Sequence, residues 1–138
     1  TAFEYDALAK KNASLPSRPQ DAIRVRLVVL DAPRKIAEGA SLFSTEFDVE
    51  FLTQREAVAE DLMLHARLME TISPALLDEA ELVFDSLSPH DTFDACVRDG
   101  LLVHVDAANS RTGTSYKPTE KGWLLGNELY GRLWDLRL

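Results

Sequence analysis

The chain has 138 residues, 46% hydrophobic and 28% charged, which is enough for a domain with a proper core. No apolar run approaches the roughly 18 residues of a membrane span, and the opening TAFEYDALAKKN has no apolar signal-peptide core. The single cysteine, Cys96, excludes an internal disulfide framework and an iron–sulfur cluster ligated by several thiolates of this chain, and it predicts a reducing, cytoplasmic setting.

The net charge of −8 is unevenly spread. Residues 1–35 carry seven Lys/Arg against four acids, and residues 36–110 carry three Arg against sixteen acids. Residues 111–138 return to five basic against three acidic residues. An opening on Thr1 rather than Met predicts an interior piece of a longer protein.

Residues 1–22 read as a linker or N-terminal extension, with a short helix over FEYDALAKK and a proline-containing linker, NASLPSRPQ. In AIRVRLVVL, Ile23, Val25, Leu27 and Val29 alternate with Arg24 and Arg26. That period of two predicts a strand, with a helix running on into APRKIAEG as the competing reading and Gly39 as the end of either. Thr53 and Glu56 form a capping-box signature, opening a helix predicted to run to about Thr71. Val58, Leu62, Met69 and Ile72 make its apolar stripe, flanked by Leu64 and Leu68, with His65 in the middle. Ser73-Pro74 opens the next helix, whose core face is Leu76, Leu77, Ala80, Phe84 and Leu87, while Glu79, Glu81 and Asp85 form a solvated face. Ser88-Pro89 repeats the start signal for a helix that buries Phe93, Cys96 and Val97 and ends at Gly100.

Two strands, LLVHVD and TSYKP, joined by the polar turn AANSRTG, predict a hairpin in which Val103 and Val105 alternate with Leu102, His104 and Asp106. Thr119 caps a closing helix with two apolar ridges: Leu125, Leu129, Leu133 and Leu136, and, displaced around the axis, Trp123, Tyr130 and Trp134. The second ridge needs a partner, which could be the N-terminal segment, a second subunit or a further domain. The predicted fold is α+β and mainly helical: a winged-helix-like domain over 23–138 with a short two-stranded antiparallel wing and a closing helix.

Chemistry is harder to find. A nucleic-acid reading needs Arg, Lys, Asn or Gln on the third helix, but Asp91, Asp94 and Asp99 surround Arg98 there, which argues against DNA. No HExxH, phosphate loop or GxSxG is present, so no catalytic residue is assigned and no metal or cofactor site is expected in this chain. The candidate interface or substrate contacts are His65, Arg67, Trp123, Asn127, Tyr130 and Trp134. For each, a structural role competes: His65 as a hydrogen-bonded core residue, Arg67 paired with Glu70, the aromatics as packing. His90 and His104 are expected to be exposed, and Cys96 to be inert.

LMLHARLMETIS (Leu62 to Ser73), the Gly100-Leu101-Leu102 step and PTEKGWLLGNELYGRLWDL together resemble the C-terminal domain of oxygen-independent coproporphyrinogen III oxidase-like radical SAM proteins, a family that includes haem chaperones. Leu62, Met63, Leu64, Arg67, Leu68, Glu70 and Ile72 match its first motif; Thr119, Gly122, Leu124, Leu125 and Asn127 match its last. RVRLVVLDAPRKIAEG looks like the family's segment between barrel and C-terminal domain. His65 and Thr71 replace two glycines of the pattern, and Pro118 stands where Leu is usual, so the resemblance implies a divergent branch. The resemblance implies an accessory domain in porphyrin or haem metabolism that flanks the active site. Its partners would be an N-terminal radical SAM barrel of the same chain and, through that barrel, a tetrapyrrole. The 4Fe–4S cluster and S-adenosylmethionine would belong to the barrel, whose CxxxCxxC motif is not in this chain. The other reading is a free-standing winged-helix module that binds protein or, less favoured, DNA.

Overall fold

The computed structural model describes residues 2–12, 15–29, 47–84, 88–109 and 111–138. Helix and sheet are mixed, and the chain divides into two units, Thr1–Gln54 and Arg55–Leu138.

The first unit contains α1 (Ala2–Lys11), β1 (Ala22–Val29) and β2 (Phe47–Thr53). The alternating stretch is a strand, as its β-branched residues favour. Gly39 and most of the competing helix lie outside the described residues. β1 and β2 pair antiparallel, with Val25 opposite Phe51 and Arg26 opposite Glu50. Arg26 Nε donates to Glu50 Oε2 at 2.7 Å across the ladder. Alternation does not deliver burial here, since Ile23 is 50% exposed. Polar ties hold α1 instead. Arg18 forks onto Asp6 through Nε–Oδ1 at 3.0 Å and Nη2–Oδ2 at 2.8 Å, and also donates to the Ala22 carbonyl. Tyr5 is buried edge-on to Phe51, ring centroids 5.5 Å apart, and its hydroxyl donates to Pro16 O at 2.5 Å.

The second unit runs α2 (Gln54–Arg67), α3 (Pro74–Val83), α4 (Pro89–Arg98), β3 (Leu102–Asp106), β4 (Thr114–Pro118), α5 (Glu120–Leu124) and α6 (Gly126–Asp135). α2 stops at Arg67, four residues short of the predicted end, because Met69 takes a left-handed φ of 58°. That conformation costs a side-chain-bearing residue about 1–2 kcal/mol. It turns the chain so that Ile72 reaches the core from an extended segment. Ile72 N donates to Tyr116 O at 2.8 Å, and Ser115 Oγ, fully buried, donates to Ile72 O at 2.5 Å. The stretch between α2 and α3 therefore lies along β4.

α3 starts as its sequence predicts, with Ser73 Oγ accepting from Leu76 N at 3.4 Å. Ser88 stands at the corresponding position of α4 without a side-chain cap. Val58, Leu62 and Ala66 of α2 pack with Leu77, Ala80 and Phe84, with Phe93 and Cys96, and with Leu129, Leu133 and Leu136 in one continuous core. Each fully buried large side chain in it contributes about 1.5–3 kcal/mol of transfer free energy. Leu87 and Asp85 lie outside the described residues. In the hairpin, His104 faces Tyr116 and Val105 faces Ser115. Val103 points outward at 45% exposure, so the apolar side of β3 is led by Leu102 and not by its valines.

The closing helix is broken in two, contrary to the continuous helix predicted. Leu125, at φ −102° and ψ 38°, ends α5 and precedes α6. Leu125 is exposed, while Leu129, Leu133 and Leu136 are buried, so three of the four ridge leucines enter the core. Thr119 fixes the start of α5: its hydroxyl accepts from Gly122 N at 3.0 Å and donates to Gly100 O at 2.5 Å. Only glycine fits at 122, where a Cβ would lie 2.1 Å from Leu101 O. Arg55 ties the helix ends together. Its guanidinium donates to Val83 O, Arg137 O and Leu136 O at 3.3, 3.4 and 3.5 Å and lies 5.2 Å over the Phe84 ring.

Candidate functional site

Two surface features of the second unit gather functional side chains. The first is a groove of about 270 Å³ between α2 and α6, lined by Met63, Arg67, Asn127, Tyr130, Gly131 and Trp134. Helical spacing explains the set. Met63 and Arg67 are four apart on α2, and Asn127, Tyr130, Gly131 and Trp134 share one face of α6. The Tyr130 ring lies against Gly126, where an added Cβ would come within 2.6 Å of it. Arg67 Cζ sits 5.1 Å over that ring, and Arg137 Cζ sits 4.6 Å over the ring of Trp134. Such cation–π contacts contribute roughly 0.5–1 kcal/mol at exposed sites and fix the guanidinium over the groove.

Among the described residues no carboxylate pairs with Arg67. The bridge to Glu70, the competing role for Arg67, does not form, because Glu70 lies past the end of α2 and the i, i+3 relation is lost. Four of the six predicted contacts, Arg67, Asn127, Tyr130 and Trp134, thus come together in one groove. His65 and Trp123 do not line it. His65 is roughly 200° around α2 from Met63 and from Arg67. It is partly buried, and its Nδ1 has no hydrogen-bond partner among the described residues, so the hydrogen-bonded core role expected for it is not met at that atom. Trp123, 57% exposed, is separated from Tyr130 by the break at Leu125, which divides the predicted aromatic ridge.

The second feature is a polar cluster at the root of the hairpin, in an open pocket of about 340 Å³ that includes His90, Asp94, His104, Asp106 and Tyr116. His90 Nε2 bonds to Glu81 Oε1, and His90 Nδ1 lies 3.0 Å from the Tyr116 hydroxyl. That hydroxyl donates to Asp94 Oδ1 at 3.0 Å, and His104 Nε2 lies 3.7 Å from the same oxygen. Arg111 Nη1 is 3.8 Å from the other oxygen of Glu81. Burial, and then the Asp94 carboxylate, hold the Tyr116 phenol well above its ordinary range. Sequence reasoning missed this cluster, reading Glu81 as part of a solvated face and His90 as exposed; both side chains are only about a fifth exposed, at 21% and 23%. The available signal was His90 and Asp94 at i, i+4. What it lacked was the hairpin register that sets Tyr116 opposite His104.

Other chemistry finds little footing. α4 and its C-cap expose Asp91 and Asp99 beside Arg98, so this surface carries more acid than base. Among the described residues no group of three or more His, Cys, Asp or Glu is placed to hold a metal ion, and no helix is long and apolar enough to cross a membrane. Cys96 is fully buried, and burial pushes its thiol up, away from the thiolate that a metal ligand needs. A thiolate-ligated iron–sulfur cluster therefore does not fit the residues of this chain. No protein-family model, curated protein or solved structure matches the chain.

Proposed function

We propose that Arg55–Leu138 is a winged-helix-like docking module, and that the chain is the C-terminal accessory domain of a cytoplasmic radical SAM protein of the coproporphyrinogen III oxidase-like type. The observation that carries the docking role is the α2–α6 groove. It presents an arginine with no carboxylate partner among the described residues, stacked on an aromatic ring and beside a second stacked aromatic. Trp, Tyr and Arg are the residues that dominate binding energy when a partner desolvates them.

The winged-helix reading is supported by the order of three helices, a hairpin and two short closing helices, with the segment after α2 hydrogen-bonded to β4. The family reading is supported by the roles of motif residues. Thr119 caps α5, Gly122 permits contact with Leu101 O, and Arg67 and Asn127 share the groove. The chemistry, through a 4Fe–4S cluster and S-adenosylmethionine, would be carried by a barrel on the N-terminal side, with this domain flanking it and its tetrapyrrole substrate. The test is hydrogen exchange on the 138-residue chain and on the longer polypeptide. Added protection around Arg67, Tyr130 and Trp134 in the longer form is expected, and equal exchange there removes the docking claim. A salt-sensitive shift of random duplex DNA would favour the nucleic-acid alternative instead.

A further inference from the structure

Gly131 stands in the interior of α6, where glycine is among the poorest helix formers. The glycines that precede it are explained by packing. A Cβ at Gly122 would meet Leu101 O, and one at Gly126 would meet the Tyr130 ring. At Gly131 the backbone is ordinary helix, and among the described residues a Cβ would find nothing within 4 Å. Neither backbone conformation nor packing within Arg55–Leu138 requires a glycine there. Its place in the α2–α6 groove gives it a use outside the fold. Asn127 lies one turn before it and Trp134 one turn after, and the missing side chain lets another backbone come up against α6.

The polar groups of the same groove are donors without acceptors. Arg67 is exposed, stacked 5.1 Å over the Tyr130 ring, and has no carboxylate beside it among the described residues. The exposed Asn127 side chain has no hydrogen-bond partner among those residues either. Elsewhere on α6, Arg132 is saturated by Asp99 at 2.7 Å and Glu128 at 2.5 Å. Acids are plentiful, fifteen against eight Lys/Arg in Arg55–Leu138, so the vacancy at Arg67 is a matter of placement and not of supply. Met63, Tyr130 and Trp134 supply apolar walls around it. We infer, on the strength of the docking role proposed for this groove, that its occupant is a peptide segment of the partner polypeptide carrying one Asp or Glu. The segment packs its backbone on Gly131 and presents its carboxylate to Arg67 and Asn127. A guanidinium fork matches a carboxylate with two parallel hydrogen bonds, and the Asn127 amide adds a third donor. A polyanion is repelled by the surrounding excess of acids, whereas a single carboxylate is neutralised by Arg67.

Two random peptide libraries, identical except that one lacks Asp and Glu, test this on the 138-residue chain. Peptides enriched from the complete library are expected to share an acidic position, and selection on Arg67→Glu is expected to turn that position to Lys or Arg. Arg67→Gln should weaken the enriched peptides about tenfold or more, the factor that goes with losing a hydrogen bond to a charged group. Gly131→Leu, which fills the groove, should abolish their binding. That variant is expected to unfold in urea at or above the wild-type midpoint, because leucine is the better helix former and meets no neighbour. A lower midpoint means that the chain itself needs the glycine, and overturns the inference. Equal enrichment from the acid-free library, blocked by Gly131→Leu, overturns the carboxylate and leaves the docking role standing. Binding that Gly131→Leu does not disturb, or enrichment from neither library, removes the groove as a docking site and the inference with it.

Discussion

The two units of this chain are held by different means. Arg55–Leu138 has a continuous core in which Phe84, Phe93, Leu62, Leu129 and Leu133 are fully buried, drawn from four helical segments. Among its described residues, Thr1–Gln54 has a two-stranded ladder, buried Tyr5, Ala22 and Leu52, and a forked arginine–aspartate pair, while Ile23 and Leu27 on its strand remain substantially exposed. A lone two-stranded ladder is marginal in water, so side-chain ties matter more in the first unit than in the second. The lesson is that apolar pattern alone does not identify a core. AIRVRLVV alternates as cleanly as any strand in the chain, yet Ile23 and Leu27 stay exposed, while the irregular segment after α2 places Ile72 fully in the core.

Substitutions ranked by expected effect can sharpen or break that contrast. The largest should come from Phe93→Ala, a fully buried ring at the centre of the second unit. A loss of about 3–5 kcal/mol in urea unfolding of that unit is expected for such a cavity. A loss below about 1 kcal/mol would mean that the core is not where the stability lies.

Gly122→Ala should follow at roughly 2–3 kcal/mol, within the range for overpacking, since the new Cβ meets backbone and not a movable side chain. An unchanged midpoint would show that α5 can retreat from Leu101. Arg55→Met is expected to cost about 1–2 kcal/mol, because three helix-end carbonyls lose a cationic donor while the apolar contact with Phe84 is kept. If its cost equals that of Phe93→Ala, the polar tie has been undervalued in this unit.

The smallest effect concerns Asp6, which is half-buried and whose carboxyl the Arg18 guanidinium holds below the ordinary 3.8. A depressed folded-state value means that its contribution is present above pH 3.8 and is lost as pH falls below it. Amide protection in α1, corrected for intrinsic exchange, should therefore fall as pH drops below 3.8 in the wild type, and less so in Asp6→Asn. Identical profiles would remove Asp6 from the account of the first unit.

Much of the second unit was legible in sequence because its signals are local. Ser73-Pro74, Ser88-Pro89 and Thr119 mark helix starts, and the periodic apolar residues Leu76, Leu77, Ala80, Phe84, Phe93 and Cys96 are buried as their spacing implies. The errors arose where a distant contact decides the outcome. Met69 takes a conformation that its side chain disfavours, so α2 ends early and Arg67 loses Glu70. The kink at Leu125 comes with Gly126 seated under the Tyr130 ring, which no periodicity displays. The groove was partly readable, since Tyr130 and Trp134 lie four apart and Asn127 and Arg67 belong to the resembling motifs. The cluster at the hairpin root was not, because it needs the pairing of β3 with β4 and the packing of both against two helices.

The central claim is that this chain is an accessory domain whose groove docks on a larger part of the same polypeptide. Reading the coding sequence upstream of the Thr1 codon tests it most directly. An in-frame, barrel-sized region that carries CxxxCxxC is expected. A start codon immediately before Thr1 would contradict it and leave a small docking module whose partner is a separate protein.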